Sequence, residues 1–251
     1  MSNLLSFRPF FLVLLLCLIL TGCSGRKHKP ETSAEEYFSQ GERYYEKNLY
    51  DDAIASWEKA RDTFYSPELS KLVDLKIAEA YYVSERYQEA TVAYNEFIQK
   101  YPNDTRIPEI LYSLGMSYYR QILSRDRDQT NTENALLTFE DLNRRFPDNK
   151  HAAEVDNLIL RSRTRLADHE VYVGWFYLKK KRYQASIQRL ENVLRDFPDY
   201  YYRDEAYFYL IKAYVRNGET AKAQEVYQQL SRQFPNSDKT ADAQSLIARH
   251  S

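Results

Sequence analysis

Between Arg86 and Pro102 the chain reads RYQEATVAYNEFIQKYP, and the remainder repeats this phrase with variations. Ala90, Tyr94, Phe97 and Tyr101 are spaced four, three and four residues apart, which places them on one face of a helix. Pro102 then ends the helix, because it has no N–H to donate and its ring clashes with the preceding turn. The phrase recurs as Ala135, Phe139, Leu142, Phe146, Pro147, as Ser186, Leu190, Val193, Phe197, Pro198, and as Ala223, Tyr227, Leu230, Phe234, Pro235. An earlier version, Ala53, Trp57, Ala60, Phe64, has its proline displaced to Pro67. Five copies of a helix with a stop make a repeat protein, whose units bury their apolar stripes by stacking.

Composition agrees with such a fold. The chain is 43% hydrophobic and 28% charged, which is a globular balance. Six glycines and eight prolines suit long helices with short turns. The net charge of −1 gives no support for a nucleic-acid binder, and no nucleic-acid partner is expected. Twenty-three tyrosines is a high count that needs a reason.

Residues 1–22 read as an export signal. Arg8 is the one charge, and Phe10–Leu20 is an unbroken apolar run of eleven residues, short of the roughly twenty that span a bilayer. Leu20-Thr21-Gly22-Cys23 follows directly and resembles a bacterial lipobox. Cleavage before Cys23 would leave its thiol to carry diacylglycerol, and the buried acyl chains would hold the protein on a membrane without a spanning helix. The covalent lipid is the single expected prosthetic group; no cofactor or metal is expected. Residues 23–33 form a polar tether containing Arg26, Lys27 and Lys29. Ser24, rather than an aspartate, fits transport to the outer membrane, with the chain facing the periplasm.

The repeats themselves resemble the tetratricopeptide (TPR) family, in which two antiparallel helices, A and B, fill about 34 residues. The matching positions are Gly41, Tyr44, Ala53, Trp57 and Ala60 in repeat one, Ala78, Tyr81, Ala90 and Tyr94 in repeat two, and Gly115, Tyr118, Ala135 and Phe139 in repeat three. Gly174, Tyr177 and Ser186 continue the series, then Tyr207, Ile211, Tyr214, Ala223 and Tyr227. The expected fold is all-α: a right-handed superhelix of about five hairpins over residues 34–251, at 34–67, 71–104, 108–149, 150–200 and 204–237, with a capping helix at 238–250. In the cap, Ala241, Leu246 and Ile247 are expected to point inward. Gly115 lies 20 residues before Ala135, whereas Gly41 lies 12 before Ala53, so repeat three carries an insertion of eight. Apolar positions from Val155 to Tyr172 predict one long helix, about 150–179, running into repeat four. Small residues at the A/B crossing let the backbones approach, and Trp57, Tyr94, Phe139 and Tyr227 are expected to fill the space between repeats.

Stacking leaves one set of aromatics unexplained. The early A helices each carry a doublet, Tyr44-Tyr45, Tyr81-Tyr82 and Tyr118-Tyr119. The first member is the core tyrosine; the second lies about 100° round the helix, toward the concave surface. Tyr45, Tyr82 and Tyr119 are spaced 37 residues apart, as are Phe38, Leu75 and Tyr112 on the same face. These two rows predict a groove for an extended peptide with aromatic side chains, since tyrosine offers area at low entropic cost and a hydroxyl for backbone contacts. The competing reading is that a tight superhelix fills its own groove.

Nothing in the sequence points to catalysis. His28, His151, His169 and His250 are scattered, and there is no cysteine pair, glycine-rich phosphate loop or GxSxG elbow. Two basic runs stand out: Lys179–Arg182 at a turn, and Arg161, Arg163 and Arg165 alternating along the long helix. Both read as solvated faces, with docking of an acidic partner as the functional alternative.

Taken together, lipobox, tether, five TPR units, a charged insertion and a long helix into the fourth unit resemble the BamD/ComL family of outer-membrane β-barrel assembly lipoproteins. Ala80-Tyr81-Tyr82, Arg125-Asp126-Arg127-Asp128 and Val193-Leu194-Arg195-Asp196-Phe197-Pro198-Asp199 carry the resemblance. It implies a non-enzymatic scaffold that holds a BamA-like barrel-assembly protein through its C-terminal repeats, beside other Bam lipoproteins. Its N-terminal repeats would receive targeting segments of unfolded outer-membrane proteins. Arg195, Arg203 and Asp204 are the residues it implies at the BamA interface. Some members have a YPFGPY-like turn where this chain has Phe64-Tyr65-Ser66-Pro67-Glu68, and arginines where it has Glu96 and Gln99. The alternative is another TPR lipoprotein, such as a pilotin for secretin or pilus assembly or a Tol–Pal adaptor.

Overall fold

The computed structural model describes residues 33–64 and 66–250. The export signal, Cys23 and the tether up to residue 32 therefore lie outside the described residues. Within them the chain forms eleven helices and no strand. Repeat one is α1 (Ala34–Glu46) and α2 (Tyr50–Thr63), repeat two α3 (Pro67–Val83) and α4 (Tyr87–Lys100), and repeat three α5 (Ile107–Arg120) and α6 (Thr130–Arg145). Repeat four is α7 (Ala152–Lys179) and α8 (Tyr183–Asp196), repeat five α9 (Arg203–Arg216) and α10 (Thr220–Gln233), and α11 (Asp238–Ala248) caps the stack. The architecture is the all-α TPR solenoid expected, each helix packing on its neighbours in sequence.

The stops work as the prolines require. Tyr101, Phe146, Phe197 and Phe234 each precede a proline and share one conformation, with φ between −136° and −124° and ψ between 56° and 66°. A following proline ring excludes the α region for these residues. The A-to-B turns are equally uniform. Asn48, Glu85, Lys181 and Gly218 hold φ of 60°, 61°, 57° and 83°, and the next residue's N–H closes back on Tyr44, Tyr81, Tyr177 and Tyr214 at 2.9 Å. This left-handed C-cap satisfies carbonyls at the helix end.

The large B-helix residues fill space between repeats, Trp57 clustering with Val73 and Ile77 of repeat two and Phe139 with Val155 and Leu158 of repeat four. They also press onto the A helix of their own repeat. A Cβ at Gly41 would lie 2.4 Å from the Trp57 ring, one at Gly115 2.5 Å from Phe139, and one at Gly174 2.7 Å from Leu190. Trp57, Phe139 and Leu190 are fully buried there, each contributing roughly 1.5–3 kcal/mol. In repeat four the crossing is also hydrogen-bonded, because the buried Ser186 hydroxyl donates to the Gly174 carbonyl at 2.8 Å.

Two expectations shift, and the long helix holds. Six of the eight inserted residues in repeat three lengthen the loop at 121–129, and two extend α6 at its start. The long helix is continuous over 28 residues; Val155 and Leu158 join the N-terminal core, and Ala167, Val171 and Leu178 the C-terminal one. In the cap it is Ala243, not Ala241, that points inward with Leu246 and Ile247, because Thr240, Ala243, Leu246 and Ile247 make the three-and-four-residue stripe.

Candidate functional site

The A helices of repeats one to three bring most of the aromatic rows to a shared surface. Tyr45, at the end of α1, is half-buried, with its ring centroid 5.5 Å from Tyr50 and 5.7 Å from Trp57. The Lys76 ammonium, paired to Glu42 at 2.9 Å, lies 5.7 Å over the same ring. Tyr82 is half-buried against Tyr87, 5.8 Å away. Tyr112 stacks on His151 with 3.7 Å between centroids and 4° between planes, and His151 Nε2 sits 3.1 Å from Glu109. Tyr119 is half-buried and walls a cleft against α7. Phe38 packs partly buried on the first core cluster.

Leu75 does not belong to this surface. It is 6% exposed and sits in the second core cluster, because the A helix of repeat two is covered there by repeat three. Leu178 and Val215, at the corresponding places in repeats four and five, are buried as well. The rows therefore persist as Phe38, Tyr45, Tyr82, Tyr112 and Tyr119.

Their electrostatics tie the surface together. Burial raises the Tyr45 hydroxyl's pKa, helped by the nearby Glu79, and burial raises that of Tyr82 against the opposing pull of Arg120. Burial, then the Glu154 carboxylate beside it, pushes Tyr112 up to about 12. Burial also raises the pKa of Glu79, which stands one turn before Tyr82. All three phenols are protonated at neutral pH, with the Tyr112 hydroxyl bonded to Glu154 and that of Tyr82 to Arg120. Glu42, Lys76 and Glu79 were not picked out by the sequence reading; the 37-residue interval between Glu42 and Glu79 was the available signal.

A larger cleft, 780 Å³ between α2, α3 and α4, is lined by Glu58, Arg61, Asp74, Glu96 and Lys100. Asp74 accepts hydrogen bonds from Arg61, Lys100 and Tyr101 at 3.0, 2.7 and 3.0 Å. Asp74 is thus neutralised across the repeat junction, while Glu58, Glu89 and Glu96 leave the cleft acidic.

At the C-terminal end the expected interface residues separate. Arg195 is exposed and bonds to Asn192 and Asp196 on its own helix. Arg203 opens α9, donating to the Pro198 carbonyl at 3.1 Å and lying 5.7 Å from the Tyr207 ring. Asp204 is turned inward: it accepts from Ser237, the N-cap of α11, and from the Glu205 amide. It ties the cap to repeat five. Beside Arg203 stand Tyr201 and Tyr202, 79% and 51% exposed and in edge contact at 4.8 Å. The run Tyr200-Tyr201-Tyr202 was their sequence signal, masked by the overall abundance of tyrosine.

A family model described as outer membrane lipoprotein, YfiO, matches residues 30–230. The chain belongs to the YfiO family of outer membrane lipoproteins. This YfiO-family chain is 28% identical to the outer membrane protein assembly factor BamD of Rickettsia prowazekii, over 95% of its own length and 96% of the relative's. It is 27% identical to the BamD of Caulobacter vibrioides, covering 93% and 78% of the two chains, and 24% identical to that of Pasteurella multocida, covering 96% and 98%. Among solved structures, the TPR2AB domain–pHSP90 complex of yeast Sti1 overlays with a TM-score of 0.41 at 12% identity, covering 86% of this chain and 98% of that one. Among the described residues of the YfiO-family chain, no helix is long and apolar enough to cross a membrane.

Proposed function

We propose that the protein is a lipid-anchored, non-enzymatic scaffold in the assembly of outer membrane proteins, held at the periplasmic face of the outer membrane through Cys23. The A helices of repeats one to three receive extended, aromatic segments of unfolded outer-membrane proteins. The C-terminal repeats hold a BamA-like barrel-assembly protein and other lipoproteins of that machinery.

One observation carries the client-binding part. Tyr45, Tyr82, Tyr112 and Tyr119 stay half-buried rather than sinking into the stack, so each ring keeps exposed aromatic area for a peptide. The partner part rests on the exposed Arg195, Tyr201 and Tyr202 with Arg203 at their edge, an aromatic and arginine set typical of hot spots. Site-specific photocrosslinkers at Phe38, Glu79 and Gln121 test the first part. They should capture barrel-protein peptides in wild type and lose them in Y45A/Y82A/Y119A, with helicity intact. Unchanged capture would mean that the tyrosines serve packing alone. Affinity purification from membranes that recovers a secretin without a BamA-like protein would refute the assignment as a whole.

A further inference from the structure

The cleft between α2, α3 and α4 holds more negative charge than its own walls use. Ile77 of α3 and Val92 and Ala93 of α4 give it an apolar lining, and Val92 is 55% exposed. Its acids fall into two groups. Asp74 is taken by Arg61 and Lys100 at 3.0 and 2.7 Å, and Glu89 by Arg86 at 2.9 Å. Glu58 of α2 and Glu96 of α4, one from each B helix, are exposed and make no ion pair among the described residues. The 780 Å³ of the cleft thus offers an apolar surface between two uncompensated carboxylates.

The chain carries a segment of the complementary charge just ahead of the described residues. Residues 26–29 read Arg-Lys-His-Lys, three bases in four positions. The described chain starts at Ser33, the N-cap of α1. α1 runs antiparallel to α2, with Gly41 crossing at Trp57, so Ser33 comes level with the end of α2, about 10 Å across from it. Glu58 lies five residues before that end at Thr63, about 8 Å along the axis. Lys29 and Arg26 stand four and seven residues from Ser33 and reach about 14 and 24 Å when extended. We propose that the tether segment Arg26–Lys29 docks in this cleft, its bases pairing with Glu58 and Glu96 and their alkyl stems covering Val92. Covalent attachment gives the segment a high effective concentration there, so it fills the cleft ahead of any free basic peptide. The consequence is one of distance, and this part rests on the reading of Cys23 as the lipid-bearing residue. An undocked tether lets the repeats stand up to about 34 Å from the membrane. Docking leaves the three steps from Cys23 to Arg26, about 10 Å, and holds the α2–α4 face to the membrane surface.

The test is disulfide trapping in the full mature chain in detergent, with the state of Cys23 read by mass spectrometry. His28→Cys supplies one thiol and keeps the three bases. Its partner is either Val92→Cys in the cleft or Arg43→Cys, which is exposed on α1 about 15 Å along the helix from Ser33. Closure is read by gel mobility and normalised to each cysteine's own reaction with a small disulfide. H28C/V92C should close roughly ten-fold faster than H28C/R43C, within the range for two exposed ion pairs. E58Q/E96Q, and separately about 0.5 M salt, should bring that ratio to one or below. Equal normalised rates in the two pairs overturn the docking, as does a ratio that survives E58Q/E96Q. Loss of the ratio on adding vesicles of phosphatidylethanolamine and phosphatidylglycerol also overturns it, assigning the bases to anionic headgroups instead. A free thiol at Cys23 refutes the anchor and the held distance alone; the same ratio, measured with Cys23→Ser, then decides the docking.

Discussion

The A-to-B turns contain a reciprocal experiment. Asn48, Glu85, Lys181 and Gly218 occupy the same left-handed position in four repeats, and only one of them is glycine. A non-glycine residue there costs about 1–2 kcal/mol from contact of its Cβ with the following carbonyl. Glycine avoids that cost but gives up about 0.4–1 kcal/mol through the extra freedom of the unfolded chain. Lys181→Gly should therefore stabilise by about 0.5–1 kcal/mol, taking the difference of these two terms. Gly218→Ala should destabilise by a similar amount, and the loss is purely conformational, since no atom lies within 4 Å of a Cβ built at Gly218. In a chain of this size, 1 kcal/mol moves Tm by about 2–4 °C. The assay is urea unfolding followed by intrinsic fluorescence in a Trp57→Phe background. Trp175, the other of the two tryptophans, then reports on the repeats that contain both sites. That matters because a solenoid's ends can unfold separately. Midpoints that move in the same direction for the two variants, or a Lys181→Gly midpoint below the parent's, would refute the argument.

Other perturbations follow from the packing. Gly115→Val should destabilise by about 1–3 kcal/mol through overpacking, and Phe139→Leu in the same chain should recover part of it, both read from urea midpoints. Ser186→Ala removes the second hydrogen bond to the Gly174 carbonyl, which keeps its partner within the helix, and should cost about 0.5–1.5 kcal/mol, with thermal melts as the check. Hydrogen bonds from Arg106 hold the Asp104 carboxyl below its ordinary pKa, with Lys71 adding to the effect, and Arg163 does the same for Asp199. Their folded pKa values are depressed, so the stability they contribute is full above the ordinary carboxylate range and is lost as pH falls below it. Stability should drop below about pH 4, and Asp104→Asn should flatten that fall; an equally steep acid limb in the variant would count against it.

Much of this fold was legible because its rules are local. A proline after an aromatic and a glycine under a large B-helix residue are visible as spacing, and both recur. The loop at 121–129 could be counted but not shaped, because its form depends on contacts far away in sequence, such as His169 Nδ1 to the Arg125 carbonyl at 2.7 Å. The candidate surface was partly legible. Periodicity names a helix face, but cannot say whether a neighbouring repeat covers it. Leu75 and Tyr82 share a face, yet one is core and the other half-open. Asp204 shows the same limit at the C-terminal end, where Ser237 of the cap claims its carboxylate. Leu160, Arg161 and Arg165 read as a solvated helix face until Tyr119 and Ile122 are placed beside them.

α7 sets a phase as well as a distance. Its 28 residues extend about 42 Å and belong to one core at the start and the other at the end. Adding or removing a single residue near Ser162 would turn the last two repeats by about 100° about the helix axis and slide them about 1.5 Å. A surface around Arg195 and Tyr201 would then face another direction while every local contact within it survived. Length changes of about eleven residues, close to three whole turns, keep the phase, whereas the 121–129 loop can absorb any number. Relatives that differ in length should therefore differ in that loop by arbitrary steps and in this helix by whole turns. The mutual aim of the two ends of the molecule is thereby an inherited quantity, counted in residues.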